Sequence, residues 1–170
     1  MVNWFINTII RIKVKIKKKY MQNIKVRIKK THQDAVIPYK TYKEDFCYDC
    51  VAVSEEEVAP NVWKYGLGLA FEIERPPYTP HMIFSIDARP RSSVWKTGMI
   101  LSNCEGTIDE LYRGEVSAVF YHVMPNMPRY KVGDRVCQIK LGWTEHLDFV
   151  EVEELNMTER ADGSYGSTGK

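Results

Sequence analysis

The chain has 170 residues, 44% hydrophobic and 27% charged, with a formal net charge of +2; that length fits one domain with a core of its own. Ten of the 24 Lys and Arg precede the first acidic residue, Asp34, which leaves 14 against 22 acids and a formal −8 over residues 34–170. So acidic a body excludes a general nucleic-acid binder, which needs a basic surface across its fold, and any anion must be met by local groups.

The apolar run Trp4–Ile10 is far shorter than the roughly 20 residues a membrane-spanning helix needs, so no span is expected. Its basic residues follow the apolar run, the reverse of a secretory signal. With four cysteines (Cys47, Cys50, Cys104, Cys137) in so short a chain, the expectation is a cytoplasmic protein with reduced thiols. Arg11–Lys18 (RIKVKIKK) and Asn23–Lys30 (NIKVRIKK) nearly repeat each other, alternating apolar and basic residues as a half-buried strand does. One copy suffices for a fold, so residues 1–21 are expected to be a dispensable basic N-terminal extension. Cys47 and Cys50 form a CxxC, but no second pair lies downstream to complete four zinc ligands, and they read as ordinary thiols.

Strand-like runs follow at Tyr48–Val53, Leu67–Ile73, Met82–Ile86, Gly98–Ser102, Glu115–Val123, Val136–Leu141 and Leu147–Val152, separated by Pro and Gly turn signals. The spacing predicts an all-β sandwich, jelly roll or small barrel. Ser92–Lys96 predicts a short helix after Pro90. From Asp162 onward small residues dominate, and the tail is expected to be mobile when empty.

Four segments carry chemistry. Arg89–Ser93 (RPRSS) sets guanidinium and hydroxyl donors beside a helix start, a pattern suited to phosphate oxygens. Gly106–Glu115 (GTIDELYRGE) reads as the tip of a β-hairpin in which Asp109 is held rigidly enough to take a proton from an attacking water; standing alone, the motif reads sooner as an ordinary turn aspartate. Gly133–Gln138 (GDRVCQ) is a turn entering a strand. In the tail, Gly163, Gly166 and Gly169 open backbone N–H groups to an anion, Ser167 and Thr168 add hydroxyls, Arg160 offers a fork for a terminal phosphate and Tyr165 a face for a base. It is not a P-loop, since Ser164 stands where that spacing needs Gly. By composition alone it reads as a plain Gly/Ser tail.

Taken in order, Tyr48-Asp49, Pro90–Ser93 with Lys96, Gly106–Gly114, Gly133–Gln138 and Glu159–Gly169 resemble the five motifs of the trimeric dUTP pyrophosphatases (dUTPases) over about residues 22–170. The resemblance implies a jelly-roll homotrimer with C-terminal arm exchange: a body at 22–157, an arm at 158–170, and three active sites at subunit interfaces. It implies hydrolysis of dUTP to dUMP and pyrophosphate, with Mg2+ on the triphosphate, keeping dUTP low and supplying dUMP for dTMP synthesis. By position, Asp109 resembles the general base. Asn103 and the 103–109 backbone, Gly106 included, resemble the uracil reader, and Tyr112 resembles the residue that rejects a 2′-hydroxyl. Arg91, Ser92 and Gln138 resemble phosphate ligands. Arg160, Gly166, Ser167 and Thr168 resemble the grip on the γ-phosphate, and Tyr165 the ring over the base. Asp49 resembles the first-motif aspartate, in the outer shell of the ion or in a structural role.

Some positions depart from the pattern: Cys47 and Ser93 replace glycines, Trp95 a small residue and Tyr165 a phenylalanine, and Glu105 puts a charge in the base-reading segment. Two other readings stay open. A dCTP deaminase-like enzyme shares Arg91–Ser93 and Ile108-Asp109, but needs an arginine where Lys96 stands and a catalytic glutamate where Val119 stands. A catalytically silent nucleotide-binding jelly-roll module needs Asp109 idle.

Overall fold

A computed structural model describes residues 23–163, and within them the chain is all-β. Strands β1 (Lys25–Lys30), β2 (Tyr48–Val51), β3 (Ser54–Ala59), β4 (Val62–Gly66), β5 (Leu69–Glu74) and β6 (Met82–Arg89) come first. A 3-10 turn at Ser92–Lys96 then leads to β7 (Met99–Leu101), β8 (Gly106–Asp109), β9 (Ser117–His122) and β10 (Arg135–Glu145). All pairing is antiparallel: β2-β10-β6-β8 form one sheet, β3-β4-β9-β7 a second, and β1 pairs with β5 alone.

Period-two alternation drives one face of each strand inward. The core takes Phe84, Ile86, Val136 and Ile139 from the first sheet, Tyr65, Leu101, Ala118 and Phe120 from the second, and Leu69, Phe71 and Ile73 from β5. Tyr65, Phe120 and Tyr130 meet edge to face, with ring centroids 5.4–6.1 Å apart. Tyr65 is fully buried, and its hydroxyl is satisfied by the Tyr130 carbonyl at 2.8 Å. Cys50 and Cys137, both buried and free, face each other across β2 and β10; their hydrogen bond, with burial, pushes the Cys50 thiol well above its ordinary pKa.

Of the two basic repeats, the Asn23–Lys30 copy enters the fold as β1, and the other lies outside the described residues. Its Ile28 packs on the core while Lys25 and Arg27 lie opposite Glu74 and Glu72 of β5, with ion pairs of 3.4–4.0 Å. These exposed pairs contribute little stability and chiefly match the register.

Three expectations are corrected. Gly106–Asp109 is not a hairpin tip: β7 joins β9 in one sheet and β8 joins β6 in the other, so the segment crosses between layers. Leu147–Val152 forms no strand; among the described residues no strand pairs with it, and Phe149 is 92% exposed. The β3-β4 hairpin was not anticipated, because Glu55, Glu56 and Glu57 mask the strand pattern of an edge, where charge discourages further pairing. Among the described residues no helix is long and apolar enough to cross a membrane.

Candidate active site

β8 lies at the edge of its sheet, and its register with β6 sets Ser85 opposite Asp109, Ile86 opposite Ile108 and Asp87 opposite Thr107. Ile108 packs on the core, so by alternation Thr107 and Asp109 face outward. After Asp109 the chain turns sharply, with the Tyr112 N–H donating to the Asp109 carbonyl at 3.0 Å. The Tyr112 hydroxyl donates to the Glu115 carbonyl at 3.1 Å, which folds the ring across Gly114. A Cβ at Gly114 would fall 2.4 Å from that hydroxyl, so glycine is needed for the close approach.

The result is a groove of about 230 Å³ walled by Asn103, Gly106, Thr107, Ile108, Asp109, Tyr112 and Ser117. Its second acid, Glu115, is engaged, its oxygens accepting from the Gly68 N–H (3.1 Å) and the Thr31 hydroxyl (3.2 Å). Asp109 is exposed, and among the described residues no side-chain hydrogen bond or ion pair engages its carboxylate. Glu105 does not line this groove. Its carboxylate turns to Arg89 at 2.5 Å, with Lys140 at 4.0 Å, so its charge is spent on the sheet face.

On that face, Asp87 is ion-paired with Lys140 and accepts from the Ser85 hydroxyl at 2.7 Å. Burial pushes the Asp87 carboxyl up, but the hydrogen bonds from Lys140 and Ser85 outweigh it and leave the group below its ordinary value.

A second pocket, of about 360 Å³, is strongly basic: Arg91, Lys96, Arg129 and Arg135 line it with Ser93 and a single acid, Asp134. Asp49, on β2, orients two of these cations. Arg91 donates to it through Nε (2.8 Å) and NH2 (3.4 Å), Arg135 through NH1 (2.9 Å), and Arg91 also reaches the Ser93 hydroxyl at 3.1 Å. Both Asp49 oxygens thus accept from guanidinium groups. Arg129 is fixed over the Trp63 ring at 3.6 Å and paired with Glu55 at 3.1 Å. Ser92 is exposed at the start of the 3-10 turn, and the Gln138 amide donates to the Pro90 carbonyl at 2.8 Å, bracing the loop that carries Arg91.

One chain therefore gathers Asn103, Gly106, Asp109 and Tyr112 in one groove, and Arg91 with its neighbours in another. The two share no lining residue. Arg160 closes only a local turn, donating to the Gly163 carbonyl at 3.1 Å; Tyr165, Gly166, Ser167 and Thr168 lie outside the described residues. Sequence reasoning passed over Arg129 and Arg135 as pocket cations. Arg129 has no motif around it, and Arg135 sits in a turn that reads as structural until Asp49 is placed beside it.

Comparison with known proteins bears on this arrangement. The family model described as dUTPase matches residues 33–169. The deoxyuridine 5'-triphosphate nucleotidohydrolase of Nautilia profundicola is 36% identical over 149 residues, 86% of this chain and the whole of that protein. Its Helicobacter hepaticus counterpart is 32% identical over 151 residues, 88% of this chain and 91% of that protein. A mutant of the Staphylococcus bacteriophage 80alpha dUTPase with dUpNHpp shares the fold at a TM-score of 0.68 and 19% identity, covering 86% of this chain and 99% of that one. The motif order, the antiparallel architecture and a family match over most of its length agree: this chain belongs to the dUTPase family.

Proposed function

We propose that the chain hydrolyses dUTP to dUMP and pyrophosphate at a site completed by more than one copy of itself, holding dUTP low and supplying dUMP for dTMP synthesis. The observation that carries this is Asp109, an exposed carboxylate without a side-chain partner among the described residues, at the end of β8 beside Asn103 and Tyr112. Asp109 takes the proton of a water that attacks the α-phosphorus. The bond from that phosphorus to the bridging oxygen breaks, and pyrophosphate leaves with the electron pair. Asn103 and the backbone at Gly106 read the uracil edge, and Tyr112 packs beneath the deoxyribose. Arg91 and Ser92, on a loop braced by Gln138, hold phosphate oxygens, and Lys96 and Arg135 add positive charge where negative charge is carried away.

Among the described residues no three His, Cys, Asp or Glu side chains cluster as a metal cage. Mg2+ would arrive with the triphosphate, coordinated mainly by phosphate oxygens and waters, and would neutralise phosphate charge.

The Asp109 groove and the Arg91 pocket share no lining residue, which is compatible with a triphosphate held between groups of different copies in a homotrimer. The segment after β10 supports arm exchange. Leu147, Phe149, Val150, Val152, Leu155 and Met157 are all more than half exposed on a strandless backbone, an apolar edge suited to a neighbouring copy. In this reading residues 1–21 are an extension, 22–157 the body and 158–170 the arm. Arg160, Tyr165, Gly166, Ser167 and Thr168 then close over the nucleotide of a neighbour.

The test is pyrophosphate release from dUTP, dTTP, dCTP and UTP, each with Mg2+. Turnover confined to dUTP is expected. Comparable turnover of all four would remove the uracil assignment, and ammonia from dCTP would point to a deaminase.

A further inference from the structure

The reading of Asp109 as base leaves open what holds its carboxylate in place. No side-chain hydrogen bond to it exists among the described residues, so its direction is set by its backbone. That backbone is at a weak point, because β8 ends at Asp109 and its ladder with β6 stops at the Ser85–Asp109 pair. The Phe84 N–H, next along β6, meets no ladder carbonyl there. The side chain of Glu110 takes its place, with Oε2 accepting that N–H at 3.0 Å.

The same carboxylate is gripped from the other side by Arg75, one residue past β5. Nε reaches Oε1 at 3.0 Å and NH2 reaches Oε2 at 2.7 Å, a two-pronged pair. The Glu110 side chain is only 11% exposed, so it is well shielded from water. Arg75, with help from the Phe84 amide, holds the Glu110 carboxyl below its ordinary range against the opposing effect of burial. Arg113 adds a bond to the Glu110 carbonyl at 2.6 Å.

We propose that Arg75 and Glu110, seated on the Phe84 N–H, form a positioning clamp that fixes the Asp109 carboxylate for proton abstraction. The inference rests on Asp109 being the base. Residues 109 and 110 are consecutive and β8 ends between them, so a displacement of the Glu110 backbone is passed to the Asp109 Cα–Cβ bond and redirects its carboxylate. A displacement of about 1 Å at a reacting group costs on the order of a hundredfold in rate. Neither Arg75 nor Glu110 lines the groove, so they act through Asp109 and not on the nucleotide.

The test measures kcat and KM for dUTP, and the Kd of a non-hydrolysable imido analogue, in Glu110→Gln, Arg75→Met, the double variant and Arg75→Lys, with Asp109→Asn as reference. The clamp predicts that kcat falls about tenfold or more in each of the first two while analogue binding changes less than about threefold. The double variant should be no worse than the poorer single one, and Arg75→Lys should recover part of kcat. Glu110→Gln keeps an acceptor for the Phe84 N–H, so it carries the test if Arg75→Met folds poorly. Wild-type kcat in both single variants would overturn the clamp, as would a rate loss matched by loss of folded protein. Wild-type kcat in Asp109→Asn would instead overturn the base assignment, whatever the clamp variants do.

Discussion

At the scale of single residues, the sequence exposed Asp109 and Tyr112 because their chemistry sits inside one short contiguous motif. Of the second pocket's cations Arg91 was legible in its motif, while Arg135 was hidden because β2, the loop before the 3-10 turn and the start of β10 meet only in three dimensions, where Asp49 ties Arg91 to Arg135. Glu105 shows the opposite error. It stands in the base-reading segment yet spends its charge on Arg89, so its presence there does not disturb the groove. Gly114 supplies a residue-scale prediction. With a Cβ 2.4 Å from the Tyr112 hydroxyl, Gly114→Ala must push the ring out of position. Steady-state kinetics should show kcat/KM for dUTP reduced about tenfold or more and a narrower preference for dUTP over UTP. Unchanged selectivity would mean that Tyr112 does not read the sugar.

Among the elements, strands buried on one face were readable from alternation, and β6, β9 and β10 fall where apolar periodicity puts them, with Arg135–Glu145 running longer than expected. Alternation reports a face that seeks burial, not which strand will bury it. It therefore misread Leu147–Val152, which pairs with no strand among the described residues, and missed β3, whose outward residues are glutamates. It also could not tell that β7 and β8, four residues apart, belong to different sheets. The aromatic cluster ties the neighbouring strands β4 and β9 of one sheet to the Tyr130 loop. Phe120 is fully buried between Tyr65 and Tyr130. Phe120→Ala should cost about 3–5 kcal/mol in chemical denaturation. A loss below about 1 kcal/mol would show that the cluster does not hold the Tyr130 loop on its sheet.

For the whole molecule, the account turns on division of labour between copies. In the proposed reading the Asp109 groove of one copy works with the phosphate cations and the tail of other copies. The motif order implies this division through the family resemblance, and pockets that share no lining residue and an apolar segment left exposed after β10 support it. The most direct test mixes two inactive chains, Asp109→Asn and a chain truncated after Glu159, by joint refolding or co-expression. Each alone should turn over dUTP at no more than about a hundredth of the wild-type rate. Mixed trimers should regain a substantial fraction, because a truncated copy supplies Asp109 while an Asp109→Asn copy supplies the arm. Activity in the mixture no higher than in either chain alone would contradict a site shared between copies.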